Sequence, residues 1–405
     1  MSSRVAKTVL LAAFITIGTL HVEAQTFSRG ADVSWCTEME AAGKKFYNDK
    51  GQQQELMLLL HGLGMNAIRL RVWVDPTAFG YGSWSDKTDV VAKAKRVQAA
   101  GMDLMIDFHY SDFFADPGTQ TKPAAWQGLS SDELKQAVAA HTTEVLQALK
   151  EEGIEPRWVQ VGNETNSGML WDDGQLWTTA SDKGWGNYVA LSNAGYDAVK
   201  SVLPDAYVIV HHASGAEDPT WFYTDFKKYG GKFDMIGVSH YPESEWAKEN
   251  TSLANAIRKM ALTHRVPVMV VETGYYADDQ NMASQVMADL FGKVGNISSC
   301  AGIFYWEPEV FSKWKPAYYT QLDWPYYRKG AFTSLGRPGK ALDAFRSTED
   351  AIDAIPVETD GAPTGYSSSD GPLYDLSGRV TRPYMGSSRP VAKGFYVGRG
   401  KKVVF

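Results

Sequence analysis

Residues 67–110 read AIRLRVWVDPTAFGYGSWSDKTDVVAKAKRVQAAGMDLMIDFHY. The stretch opens on an apolar run (67–74), passes a Pro- and Gly-containing turn, takes a helical pattern from Thr88 to Ala100, stops at Gly101 and enters a second apolar run (103–110). Continuous apolar strands joined by a helix are the pattern of a parallel sheet whose outer side is covered. Outward from this unit the pattern repeats: RGADVSW (29–35), WVQVGNE (158–164), YVIVHHA (207–213), MIGVSHYP (235–242), PVMVVETG (267–274) and AGIFYWEP (301–308) bring the runs to eight. Helices are expected between them, such as Ser131 to Lys150, before the glycine at 153, and Trp185 to Ser201. Eight repeats predict an α/β chain closed into a (β/α)8 TIM barrel. A doubly wound sheet is the alternative, but the Gly-rich phosphate fingerprint after the first strand is missing.

The barrel is assigned to residues 25–347. Before it, residues 1–24 carry Arg4 and Lys7, the apolar run Val9 to Leu20 and then Val22-Glu23-Ala24, the layout of a signal peptide with a small-residue cleavage site. The chain is therefore expected to be exported, to the periplasm, the cell surface or the medium. The run is shorter than the ~20 apolar residues of a membrane span, and no other stretch approaches that length. After the barrel, residues 348–405 form a Pro/Gly/Ser/Thr-rich linker and then YDLSGRV and KGFYVGRGKKVVF, which read as short strands of a small C-terminal β-rich tail. That segment is similar to the tails found on many secreted Bacteroidetes proteins.

The 405 residues carry a formal net charge of −7 and scattered charges of both signs, so no basic stripe offers itself to nucleic acid or an anionic membrane. The chain is expected to be a monomer without a cofactor. Thirteen Trp and twenty Tyr make a high aromatic load, suited to stacking on the C–H faces of sugar rings. Of the two cysteines, Cys36 follows the first strand and Cys300 precedes the eighth. They sit at opposite faces of the barrel, about six residues at ~3.3 Å apart, against the Cα separation under ~7 Å that a disulfide needs. Two free thiols are predicted.

In such barrels the chemistry gathers at the C-terminal ends of the strands. Those ends carry Arg71 and Trp73, Asp107 and His109, Asn163 and Glu164, His240 and Tyr241, Glu272, and Trp306 and Glu307. Buried carboxylates are costly without partners, so their convergence points to a reaction. Hydrolysis of a glycosidic bond needs one carboxylic acid and one carboxylate. Glu164 as acid/base and Glu272 as nucleophile fit, on the fourth and seventh strands across the barrel. Arg71 is expected to hold Glu272 ionised, Tyr241 to donate a hydrogen bond to it, and Asn163 to hold a sugar 2-hydroxyl. Arg71 could instead pair with Asp107. Asp107 with His109 reads as a support dyad rather than a metal site, because hydrolytic zinc takes three protein ligands with histidines prominent; His211 and His212 are adjacent on a strand, so only one can face inward. Trp306 is expected to floor the cleaved subsite, with the loop tryptophans Trp126, Trp171, Trp246 and Trp314 extending it into a groove.

These strings resemble the family 53 glycoside hydrolases of clan A, the arabinogalactan endo-β-1,4-galactanases. The matching motifs are RGADVSW, GMNAIRLRVWVDP, YGSW, DFHYSDFFADPGTQTKPAAW, WVQVGNETNSGMLW, FDMIGVSHYP, VVETGY and GIFYWEP, over residues 29 to about 345. The resemblance implies a retaining endo-hydrolase of pectic β-1,4-galactan, with Glu164 as acid/base and Glu272 as nucleophile. Around them it sets Arg71, Asp107, His109, Asp112, Trp126, Asn163, His240, Tyr241, Trp306 and Trp314. Mannan or cellulose hydrolysis by a clan relative, and a barrel that binds polysaccharide without cleaving it, are the alternatives. Two positions depart from the family pattern. Phe113-Phe114 stand where many relatives place a tryptophan, and YYADDQNMAS (275–284) is short where bacterial relatives can carry a calcium-binding insertion. Asp278 and Asp279 cannot supply the 6 to 8 oxygens calcium usually takes, so no metal is expected. A short rim there predicts short oligosaccharide products.

Overall fold

The computed structural model describes residues 27–346 apart from 81 and 178–181, together with four short strands between 373 and 404. The proposed signal peptide and the linker lie outside the described residues.

Eight strands close into one barrel: β1 Ser28–Asp32, β2 Ala67–Val72, β3 Asp103–Phe108, β4 Trp158–Val161, β5 Tyr207–His212, β6 Met235–His240, β7 Val268–Thr273 and β8 Cys300–Trp306. Every neighbouring pair is parallel, β8 pairing with β1 to complete the ring. Each matches one of the eight sequence runs. Among the described residues, the helices between successive strands that cover the outside are α1 Leu56–Gly62, α2 Lys87–Ala99, α3 Ser131–Glu151, α4 Trp185–Val202, α5 Thr220–Lys228, α6 Trp246–His264 and α7 Gln280–Val294. After β8 the last layer is a 3₁₀ turn, Lys340–Phe345, whose Phe345 packs edge-on against Phe291 of α7.

Local chemistry sets these elements. In α3, Leu134, Val138, His141, Thr142, Val145, Leu146 and Leu149 are buried at helical spacing, and Ser130 with Glu133 forms a capping box at the start. Gly30 of β1 is required by packing, since a Cβ there would lie 2.3 Å from the Phe304 ring. Cys36 and Cys300 are free and buried, as their separation along the barrel predicts.

The barrel interior is layered. Its lower half is apolar, a cluster of Ala67, Met105, Trp158, Ile209, Met235, Met269, Val271, Ala301 and Phe304. Because side chains alternate along a strand, two residues further on the same inward face carries Arg69, Asp107, Gln160 and His211, all buried. The polarity change comes at the C-terminal end. The four tail strands, Leu373–Asp375, Val380–Thr381, Phe395–Gly398 and Lys401–Val404, form a separate antiparallel sheet.

Candidate active site

β7 carries an irregularity that decides the site. Val270 pairs with Val238 of β6, but the next β6 residue, Ser239, pairs with Glu272, and the β8 pairing skips in the same place. Val271 is therefore an extra residue in β7, a bulge. Met269 and Val271 already face the barrel interior, and strict alternation would turn Glu272 outward. The bulge returns Glu272 to the inside.

There it meets Arg69, whose side chain is almost wholly buried. Arg69 Nη2 lies 2.9 Å from Glu272 Oε1 and 2.8 Å from Asp107 Oδ2, while Nη1 lies 2.7 Å from Asp32 Oδ2. Nη2 also donates to Asn163 Oδ1 at 2.8 Å. Tyr241 Oη donates to Glu272 Oε2 at 2.8 Å. Asp107 receives in addition His109 Nε2 at 3.0 Å, and His109 Nδ1 accepts from the Ala115 amide at 2.9 Å, which fixes the ring as a support for Asp107.

Glu164 follows β4 in the left-handed backbone region, φ 46° and ψ 54°, a conformation that costs a non-glycine residue energy and is found where surroundings enforce it. Its amide donates to His211 Nδ1 at 3.2 Å, and Oε1 accepts from Ser239 Oγ at 2.6 Å. Ligand atoms of Glu164, Glu272 and His211 all lie within 4.8 Å of one another. As a donor set for a metal this trio is poorly suited: both His211 nitrogens are engaged in hydrogen bonds and the Arg69 guanidinium already neutralises Glu272.

Burial is the largest influence on both carboxyls and pushes them up, Glu164 to about 7 and Glu272 to about 8. Arg69 and the Tyr241 hydroxyl pull Glu272 back down, and Ser239 does the same for Glu164. Taken one group at a time, that order would leave the proton on Glu272. Two carboxyls this close titrate as a pair, and their partners place the charge. Glu272 has a guanidinium and a phenol, Glu164 one hydroxyl, so the charge belongs on Glu272 and the shared proton on Glu164.

The pair opens into a cavity of about 340 Å³ lined by His109, Phe114, Ala115, Asp116, Asn163, Glu164, Tyr241, Glu272, Trp306, Tyr319, Trp324, Tyr327 and Lys329. Of the sequence-predicted site residues, Glu164, Glu272, His109, Asn163, Tyr241 and Trp306 line it, and Asp107 lies beneath. The others are placed differently. Arg71 does not touch Glu272: it pairs with Glu307 and sits against the rings of Trp35, Trp73 and Phe114 at 5.3, 4.9 and 4.9 Å. Arg69, two residues earlier on the same face, takes the roles expected of Arg71, including the pair with Asp107. His240 faces outward, its Nε2 2.7 Å from Asn250 Oδ1 on α6, because Ser239 and Tyr241 take the inward side. Asp112 accepts from the amides of Asp75 and Ala124 at 2.9 and 2.7 Å and so braces two loops. Trp126 is buried beside Tyr110 and His141, and Trp314 is buried against Trp35. Trp171 donates to Ser167 O, and Trp246 opens α6 packed on the core. None of these four tryptophans lines the cavity.

The aromatic wall comes instead from Tyr319, Trp324 and Tyr327 in the stretch AYYTQLDWPYYRKG (317–330) after β8, whose aromatic density was the available signal. In the short loop after β7, Asp279 caps α7 and Asp278 pairs with Arg328.

The profile of glycosyl hydrolase family 53 matches residues 28–382. A protein from the bgaB 5′ region of Niallia circulans, described as uncharacterized, is 36% identical over 313 residues, covering 70% of this chain and 84% of its own length. An arabinogalactan endo-β-1,4-galactanase of Thermothelomyces thermophilus is 32% identical over 305 residues, covering 69% of this chain and 89% of its own. Among solved structures, one from a study of two fungal β-1,4-galactanases superposes with a TM-score of 0.68 at 30% identity, over 80% of this chain and 99% of that one. A match that spans the whole barrel, at this identity, establishes descent: the chain belongs to glycosyl hydrolase family 53.

Proposed function

We propose that this glycoside hydrolase is an endo-β-1,4-galactanase that cleaves the β-1,4-galactan side chains of pectin with retention of anomeric configuration. The observation that carries the mechanism is the Glu164–Glu272 pair, whose oxygens approach within 4.8 Å and whose partners differ in strength, a guanidinium and a phenol on Glu272 against one hydroxyl on Glu164. A separation near ~5 Å suits direct attack, whereas inversion leaves ~6.5–9.5 Å for a water between the carboxyls. The names of the relatives support galactan as the substrate.

In the first step Glu272 attacks the anomeric carbon. Glu164 gives its proton to the departing O4 of the next sugar, so the glycosidic bond breaks as the galactosyl ester forms. In the second step Glu164, now a carboxylate, takes a proton from water, the hydroxide adds to the anomeric carbon and Glu272 leaves. Arg69 and Tyr241 hold Glu272 as the carboxylate in the resting enzyme, and Trp306 offers a face to the sugar being cleaved. Export through residues 1–24, a monomeric state and a separate β-rich segment at 348–405 belong to the same proposal; N-terminal sequencing of the secreted protein tests the first.

Reducing-end release from purified β-1,4-galactan by wild type, Glu164→Gln and Glu272→Gln tests the reading. Both variants are expected to fall by several orders of magnitude. Activity on mannan or carboxymethylcellulose but not galactan overturns the substrate. Galactan binding without hydrolysis by wild type overturns the enzyme.

A further inference from the structure

β5 and β6 contribute two buried polar side chains to the site for which the two-carboxylate reaction has no direct use. His211 and Ser239 are 0% and 1% exposed. His211 Nε2 lies 2.8 Å from Ser239 Oγ, and Ser239 Oγ lies 2.6 Å from Glu164 Oε1. The direction of this chain can be assigned. The Glu164 backbone amide has only a hydrogen to offer, and it points at His211 Nδ1 at 3.2 Å, with the Gln160 amide nitrogen at 3.0 Å on the same atom; Asn163 Oδ1, 3.1 Å from Nδ1, already accepts from Arg69 Nη2 at 2.8 Å. Nδ1 therefore accepts, the ring proton is on Nε2, and the serine oxygen receives it. The serine hydroxyl must then donate onward to Glu164.

We propose that Ser239 and His211 are positioning residues for the acid/base, a two-link donor relay, His211 Nε2–H to Ser239 Oγ–H to Glu164 Oε1, that assigns one oxygen of Glu164 to the protein and leaves Oε2 to carry the transferable proton. The inference rests on the role of Glu164 proposed above. His211 grips Glu164 twice, through its backbone amide and through Ser239, so the same ring holds the left-handed turn and aims the carboxyl. Aligned donors polarise one another, and the relay stabilises the carboxylate that Glu164 becomes once it has given up its proton. Burial keeps the imidazole neutral, its affinity for a second proton lowered well below the ordinary value, so the direction of the relay does not reverse with pH.

Other charged groups face Glu164 from each neighbouring element: Arg69 from β2, Asp107 from β3, Asp116 from the loop after β3, Glu272 from β7, and Tyr241 beyond β6. Removing Ser239 leaves all of these in place, so any change in titration belongs to the relay.

The test compares wild type, Ser239→Ala, Ser239→Thr and Glu164→Gln in full pH profiles of kcat/KM on galactan, and in the pre-steady-state burst with 2,4-dinitrophenyl β-galactobioside, whose leaving group needs no acid. Ser239→Ala is expected to lower kcat on galactan by roughly 10- to 100-fold, a fraction of what an acid/base contributes, and to leave KM nearly unchanged. It should shift the alkaline limb to higher pH, because the carboxylate has lost a donor, and leave the burst rate nearly intact. Ser239→Thr, which keeps the hydroxyl, is expected to restore both rate and limb. An unchanged alkaline limb in Ser239→Ala, or an equal loss on both substrates, overturns the relay. If Glu164→Gln itself hydrolyses galactan at the wild-type rate, it is the acid/base role that fails, and the profile of Ser239→Ala then has no bearing on it.

Discussion

The exchange of Arg71 for Arg69 as the partner of Glu272 is open to a sharp test. Arg69 Nη2 lies 2.9 Å from Glu272 Oε1. With charge centres about 4 Å apart and an effective dielectric of about 20, the attraction is about 4 kcal/mol, or about three pH units of Glu272 ionisation. In Arg69→Met that attraction is gone. Glu272 then holds its proton to higher pH, so the acid limb of kcat/KM should move up by about three pH units, and the rate at a pH below the wild-type limb's midpoint should fall by up to about three orders of magnitude. Asp32 and Asp107 lose the same partner, at a cost to stability of about 3–5 kcal/mol. From an ordinary total of about 5–15 kcal/mol the variant should still fold, with a lower Tm. Arg69→Lys keeps a charge but cannot fork to Asp32, Asp107 and Glu272 together, so its limb should move less. Arg71→Met is the control: it orphans Glu307, so it should lose comparable stability without moving the acid limb. The assay is reducing-sugar release from galactan across pH, with thermal melts alongside. A limb that moves in Arg71→Met and stays in Arg69→Met refutes the assignment.

Four further outcomes are expected. Tyr241→Phe removes a donor to Glu272 at 2.8 Å; a hydrogen bond to a charge is worth about 1.5–3 kcal/mol, so kcat/KM should fall roughly 10- to 100-fold, and a wild-type rate would contradict the contact. Glu164 sits at about 7 in the folded chain against an ordinary 4.5, so the folded state keeps a proton the unfolded state has lost, and this group's stability contribution is intact below about 4.5 and lost as pH rises to about 7. Glu164→Gln has no such proton, and its Tm should gain on wild type across that window and then hold level; a gap independent of pH would count against the buried acid. Trp324→Ala, at the cavity wall, should raise KM for galactan with little effect on kcat, as loss of uniform binding does, and isothermal titration on the Glu272→Gln background reads the same loss directly. Gly30→Ala places a Cβ 2.3 Å from the Phe304 ring; overpacking of this kind costs about 1–3 kcal/mol, and an unaltered Tm would show that the ring yields freely.

The fold was legible because it repeats. All eight apolar runs became barrel strands, and the helices expected from Thr88, Ser131 and Trp185 begin within a residue of those positions. The site was legible where a side chain ends a strand and the motif is strong, as at Glu164, Tyr241 and Glu272. Alternation held more than was taken from it: Arg69 and Ser239 each stand two residues before a chosen residue on the same inward face, and His240, adjacent to Tyr241, had to face out. The loop tryptophans were misplaced for a different reason. A tryptophan in a long loop can fold onto the neighbouring core, as Trp126 does on Tyr110 and His141 and Trp314 does on Trp35, and no local pattern separates that from a ring turned toward ligand.

The Glu272 position marks where pattern reading ends. Its strand reads VMVVET, and with Met269 and Val271 inward, alternation puts the glutamate on the helix-facing side. One extra residue against both neighbouring strands reverses this, and no residue of the strand Val268–Thr273 announces it by being glycine or proline. The cause is long-range. Facing inward, the carboxylate gains Arg69 and Tyr241; turned outward it would lose both. An uncompensated buried charge costs several kcal/mol, more than a break in one ladder, where each lost hydrogen bond nets about 1 kcal/mol. The bulge is thus the cheaper arrangement once Arg69 is in place, and Arg69 in turn is held by Asp32 and Asp107 from the strands on either side of its own. The orientation of Glu272 is therefore written on β1, β2 and β3 as much as on β7, which is why a variant at Arg69 tests it more sharply than one in β7 itself.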